Sequence, residues 1–239
     1  MNYNILICYH LVMAFSYQLK RSGRRRSIGI TIDPHKGVVV AAPKWVGKSE
    51  IVKVLRDKQG WIESKLAYFA SREWPKPKEF KPGEKLLFLG KEHTLSQGGH
   101  LPKGVYLRAE EILVATGGQE TGIINRKRLI REWYINEAKR LIVARLELYA
   151  ARMRLFPGKV AIKEHRRQWG SCSRRGSINF NWKLIMAPIE VIDYVVVHEL
   201  SHLCHLDHSC HFWAKVSSVI PDHKQRRAWL RKNSLRLQF

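Results

Sequence analysis

Carboxylates are scarce in this chain: 20 Asp and Glu stand against 43 Lys and Arg, leaving a formal net charge of +23. A surplus that large keeps a protein soluble and attracts polyanions such as nucleic acid, nucleotides or anionic lipid heads. Charge alone selects none of these partners. Cysteine pairs are missing too. Cys8, Cys172, Cys204 and Cys210 form no CxxC and no framework spacing, which excludes a disulfide scaffold and reads as a reduced, cytoplasmic chain. Long apolar runs are absent as well. Ile5 to Phe15 is too short to span a bilayer, no Lys or Arg precedes it and no A-x-A site follows. Neither stable membrane insertion nor a signal peptide is expected; the stretch reads as a strand with a loose leader, or an over-extended start. Nor is there a long repeat, a low-complexity tract or a phosphate-cradling glycine loop, since GGQETG at 117–122 lacks the P-loop lysine.

What is present suits a globular core: 45% of residues are hydrophobic and 10% aromatic. Ile28, Ile30 and Ile32 alternate with small or polar neighbours, DPHKG at 33–37 turns the chain, and Val38 and Val40 return as a partner strand. Ile51, Leu55, Ile62 and Leu66 then recur at helical spacing. A proline- and charge-rich connector runs from 71 to 85, and short strands follow near Leu86–Leu89 and Val105–Leu107. A long amphipathic helix is expected over about 125–155, with Ile135, Ala138, Ile142, Leu146, Tyr149 and Met153 on one stripe and Pro157-Gly158 as its stop. Val160 and Ile162 open a strand into RRQWGSCS, and RRGS at 174–177 reverses it. Ile178, Phe180, Trp182 and Leu184 then alternate with polar residues, predicting a hairpin with one buried face. The fold class is therefore α+β. Residues 1–16 read as an extension, 17–124 as a β-rich portion with one helix, and 125–239 as a portion built on the long helix and the hairpin.

The chemistry gathers in VVVHELSHLCHLDHSCHFW, residues 195–213, where five of the eleven histidines fall within fourteen positions. Pro188 suits a helix start and Glu190 its N-terminal dipole. The helix that follows is apolar on nearly every turn, so burying His198, Glu199 and His202 in it is costly unless they pair or bind a metal. Four residues advance a helix by about 400°, so His198 and His202 face the same way one turn apart. Two such nitrogens can grip one Zn²⁺ while the adjacent Glu199 reaches a water on it. A catalytic zinc needs a third protein ligand and an open position. His205 would stay on the same straight helix, too spread along its axis. His208 is the candidate if the helix stops near Cys204–Leu206 and a second helix, with its N-cap signal in Asp207 followed by Ser209, runs on through Phe212, Val216 and Val219. His211 falls outside that set. A closed structural zinc with Cys204 or Cys210 as fourth ligand would leave Glu199 without a purpose.

The stretch RRQWGSCSRRGSINFNWKLIMAPIEVIDYVVVHELSHLCHLDHSCHFW resembles the signature of the YgjP-like metallopeptidase family, which is related to the SprT-like and WLM zinc proteases. YQLKRSGRRRSIGITI with VVVAAPKWV, KQGWIESKL and GEKLLFLGKEH resemble its N-terminal landmarks, so the likeness runs from about residue 17 to the end. The resemblance implies a zincin-like catalytic domain, one zinc per chain held by His198, His202 and His208, and Glu199 as the catalytic carboxylate. Where longer zincin patterns place a glycine midway to the third histidine, this chain has His205, so its turn must be built differently.

The expected reaction is hydrolysis of a polypeptide by zinc-activated water, with Glu199 as general base. The RRQWGSCS strand would align an extended substrate at a sheet edge, which makes Arg167, Trp169, Gly170 and Ser171 candidate substrate contacts. Trp169 is expected mainly to pack. Oxyanion help beyond the metal is unassigned, with Arg167, His205 and His211 as candidates on proximity alone. Ser171 and Cys172 have no identifiable base and so make poor nucleophiles. Phe212 and Trp213 read as core anchors. Two alternatives stay open: a zinc-dependent nucleotide phosphohydrolase acting on a phosphate-rich substrate, and a nucleic-acid-binding module with a structural metal. Basic clusters at Lys20–Arg26 and Lys224–Lys232 bear on both.

Overall fold

The computed structural model describes residues 6–8, 14–71, 74, 76–99, 101–117, 123–165 and 168–239. Arg167 and most of GGQETG lie outside them. Among the described residues there are six α-helices and three small sheets, the α+β class expected. The backbone falls into two compact units, residues 1–75 and 76–239. They part inside the proline-rich connector.

In the first unit β1 (Leu6–Cys8), β2 (Tyr17–Ser22), β3 (Gly29–Asp33) and β4 (Gly37–Pro43) form a sheet of order β1-β2-β4-β3. The stretch read as a strand with a loose leader thus contains a strand, paired antiparallel with β2. Helical spacing from Ile51 to Leu66 resolves into two helices, α1 (Lys48–Asp57) and α2 (Gln59–Ala70), broken at Lys58. Val38, Val40, Ala42, Ile51, Leu55 and Ile62 form their shared core. Not all the early basic cluster is solvated: Arg21 donates to the carbonyls of Pro43, Lys44 and Val46.

The second unit repeats that strand pattern. β5 (Lys85–Phe88), β6 (Lys91–Gln97), β7 (Gly104–Arg108) and β8 (Glu111–Ala115) run in the order β5-β6-β8-β7, with the same antiparallel, parallel, antiparallel pairings. α3 (Ile123–Met153) follows. Its buried stripe steps by four through Ile130, Tyr134, Ala138, Ile142 and Leu146, then reaches Tyr149 and Met153. Tyr134 takes the inward place expected of Ile135, because its hydroxyl can donate to the Leu87 carbonyl at 2.7 Å. The helix stops before Pro157. Arg154 turns left-handed (φ 54°), Leu155 N–H bonds back to Ala150 and Arg154 N–H to Ala151, and these close the last turn.

β9 (Val160–Lys163), β10 (Gly170–Cys172) and β11 (Ile178–Asn181) make a sheet of order β10-β11-β9, so β10 is an edge strand. The alternation expected to run to Leu184 ends at Asn181. There the side chain accepts from Lys183 N–H and starts a 3-10 turn, Trp182–Met186, which buries consecutive residues instead of alternate ones. α4 (Ile189–Ser201), α5 (Cys210–Val219) and α6 (His223–Asn233) complete the unit. Asp193 locks α4 to α3: Arg145 donates to both carboxylate oxygens at 2.6 Å, and Tyr149 adds a hydroxyl at 3.1 Å. No helix among the described residues is long and apolar enough to cross a membrane.

Candidate metal and catalytic site

α4 is buried from Val191 to Val197, so its orientation is fixed by packing before any polar group is considered. Tyr194, His198 and His202 step by four along one side. The helix ends at Ser201, earlier than the sequence pattern suggested, and His202 is its C-cap residue. Its Nδ1 lies 2.9 Å from the His205 carbonyl. A carbonyl can only accept, so Nδ1 carries the proton and Nε2 is left with its lone pair free. His205 therefore acts on the cluster through its backbone, while its ring stacks on His211, centroids 6.1 Å apart.

The chain returns through Asp207, which accepts from Ser209 N–H. Ser209, rather than Asp207, is the N-cap residue of α5. That turn carries His208 back over α4. One nitrogen from each of His198, His202 and His208 lies within 4.8 Å of the others, and Nε2 of His198 and Nε2 of His208 are 3.1 Å apart. Two imidazole ligands on a tetrahedral zinc with bonds of about 2.0–2.1 Å would be about 3.3 Å apart. The donor set fits such an ion. No cysteine joins the group among the described residues; Cys204 and Cys210 are exposed free thiols. Three candidate ligands without a fourth among the described residues match an open site better than a closed structural one.

Phe212 is fully buried beneath the three rings, 4.5–4.9 Å from each centroid. Trp213 lies 5.8 Å from both His198 and His208. Burial first, and then the neighbouring His202 and His208, push His198 down to about 3, so its ring is neutral, as a metal ligand must be. Its Nδ1 has no partner among the described residues; whatever binds Nε2 sets its tautomer.

Glu199 is 5% exposed, and burial raises its pKa to about 8. Its carboxyl lies against the edge strand at Gly170. A Cβ added there would come within 2.7 Å of both Cγ and Cδ of Glu199, which explains a glycine at this position. Ser171 faces away and accepts from Asn179 at 3.4 Å. Burial and then Glu199 raise the Cys172 thiol, the opposite of what a nucleophile needs. Trp169 both packs on the core and lines two cavities. Two neighbours escaped the sequence reading. Tyr194 was legible, four residues before His198 on the same face. Arg227, stacked 5.0 Å over Trp213, was not, because nothing in the sequence says which face of α6 meets α4 and α5.

The family profile described as YgjP-like, metallopeptidase domain, matches residues 26–233. The chain belongs to the YgjP-like metallopeptidase family. Solved structures similar to part of this YgjP-like chain include the metallopeptidase zymogen abylysin of Pyrococcus abyssi, 26% identical, and jannalysin of Methanocaldococcus jannaschii, 14% identical. Each similarity covers 38% of this chain, and 93% and 94% of the respective structures, with a TM-score of 0.35. No curated protein matches significantly. Membership makes this a metallopeptidase-family enzyme, which the histidine cluster suits.

Proposed function

We propose that the protein is a zinc-dependent endo- or exopeptidase with His198, His202 and His208 as its metal ligands and Glu199 as general base. The observation that carries this reading is the convergence of three imidazole nitrogens beside a buried carboxyl that lies against a free sheet edge. A zinc ion held there would polarise the attacked carbonyl and bring the pKa of a bound water toward ~7.

The chain supplies the rest. β10 offers unpaired backbone groups to an extended peptide, which would add as a fourth strand and set the scissile bond across α4. Glu199 accepts a proton from the attacking water and delivers it to the departing amine. Its apolar surroundings favour the neutral acid, so it is a good donor in the second half of the cycle. His205 holds the His202 ring through its carbonyl, and Phe212 closes the floor against solvent. A basic surplus of this size would also draw the protein to polyanions, seen as binding that weakens steeply with salt.

Incubating zinc-loaded protein separately with an unfolded polypeptide pool and a nucleotide panel tests the reading. New peptide termini are expected with wild type and none with Glu199→Gln at equal zinc content. Hydrolysis of nucleotides alone would overturn it.

A further inference from the structure

Beside the metal cluster a cavity of about 640 Å³ opens between Trp169, Tyr194 and α6. Trp169 directly precedes β10, the strand that would carry the substrate backbone. Tyr194 is 5% exposed and stands one turn before His198, ring centroids 5.8 Å apart. The third wall presents Lys224, Arg227 and Arg231, spaced by three and four on one side of α6.

Among the described residues, none of these three cations forms an ion pair with a carboxylate. The contrast lies on the same helix: Arg226 pairs with Asp222 at 2.8 Å and donates to the Glu190 carbonyl. Arg227 reaches toward the metal site across Trp213, whose ring lies 5.8 Å from His198 and His208. Three like charges around one cavity repel each other unless an anion joins them, and guanidinium groups bind carboxylates in two-point fashion.

Resting on the peptidase reading, we propose that this cavity is a specificity subsite for a carboxylate beside the scissile bond, either an Asp or Glu side chain or the C-terminus of the peptide. Trp169 and Tyr194 wall the stem of that residue, Arg227 and Arg231 take its charge, and Lys224 guards the mouth.

The test uses zinc-loaded full-length protein and peptides of one backbone sequence with Glu, Gln or Lys at each position in turn, with amidated or free C-termini. Wild type should favour Glu over Gln, or the free terminus over the amide, by about ten- to a hundredfold in kcat/KM at one position next to the cut. Arg231→Glu should move that preference to Lys, and Arg231→Lys should keep it. Equal kcat/KM for Glu and Gln at every position, and for both termini, overturns the subsite while leaving the peptidase reading intact. If no peptide is cut, calorimetry on zinc-loaded Glu199→Gln decides. Tighter binding of carboxylate peptides upholds the cavity as a carboxylate-binding site while the absence of cleavage sinks the peptidase reading, and equal binding overturns both. Displacement of those peptides by a nucleoside triphosphate at lower concentration than any carboxylate peptide overturns it in favour of a phosphate ligand.

Discussion

Replacing Glu199 by Gln should stabilise the metal-free protein even as it abolishes turnover. The carboxyl is 5% exposed, and burial raises its pKa from 4.5 to about 8. Between those values the folded protein holds a proton that the unfolded chain has released. Stability is therefore greatest below the unfolded value and falls as pH rises toward the folded one. Each pH unit in that window is worth about 1.4 kcal/mol. At pH 7 the metal-free wild type thus gives up about 3 kcal/mol that a neutral amide of the same shape retains. For a unit of this size that corresponds to roughly 6–12 °C in Tm. Chelator-treated wild type and Glu199→Gln, melted side by side from about pH 4.5 to 7, should coincide at the acidic end and separate steadily toward neutrality. Zinc loading should narrow the gap, since a dication near the carboxyl favours its ionised form. Equal Tm values at pH 7, or a gap that does not close on acidification, would refute the burial argument.

Three further outcomes follow from the geometry. Gly170→Ala should lower kcat/KM about a hundredfold at unchanged zinc stoichiometry, because its Cβ displaces the Glu199 carboxyl; normal kinetics would dissociate that contact from turnover. His208→Ala should lose zinc in a metal titration while His205→Ala keeps it, since His205 contributes a backbone carbonyl. Asp193→Asn should cost about 2 kcal/mol in urea unfolding, a figure lowered from that of a fully buried pair because the Arg145 side chain is 25% exposed.

Local pattern told much of this story and stopped where long-range contact takes over. The HELSH spacing, the apolar run around it and the third histidine placed three imidazoles within reach of one another before any fold was known. The long helix could be read from its stripe, and the hairpin from alternation. The end of α4 could not: Ser201 and His202 have no glycine or proline near them, and the turn beyond is closed by Cys204 and His205 N–H groups bonding back to the Ser201 carbonyl. Trp182–Met186 kept a strand-like alternation in sequence while Asn181 turned it into a 3-10 segment. Gly170 was noted only as part of a substrate strand, since its meaning lies in a carboxyl 29 positions later. Arg145 with Asp193, and Arg227 with Trp213, join elements whose mutual faces no single-chain periodicity specifies.

His202 sits where α4 has already finished, tethered to a carbonyl three positions on. On the proposed ligand set, the grip on an ion would be governed by the path of the backbone from Leu203 to Asp207 as much as by the rings themselves. Shortening or lengthening that crossing by a single residue would retune affinity for the ion with every histidine still in place.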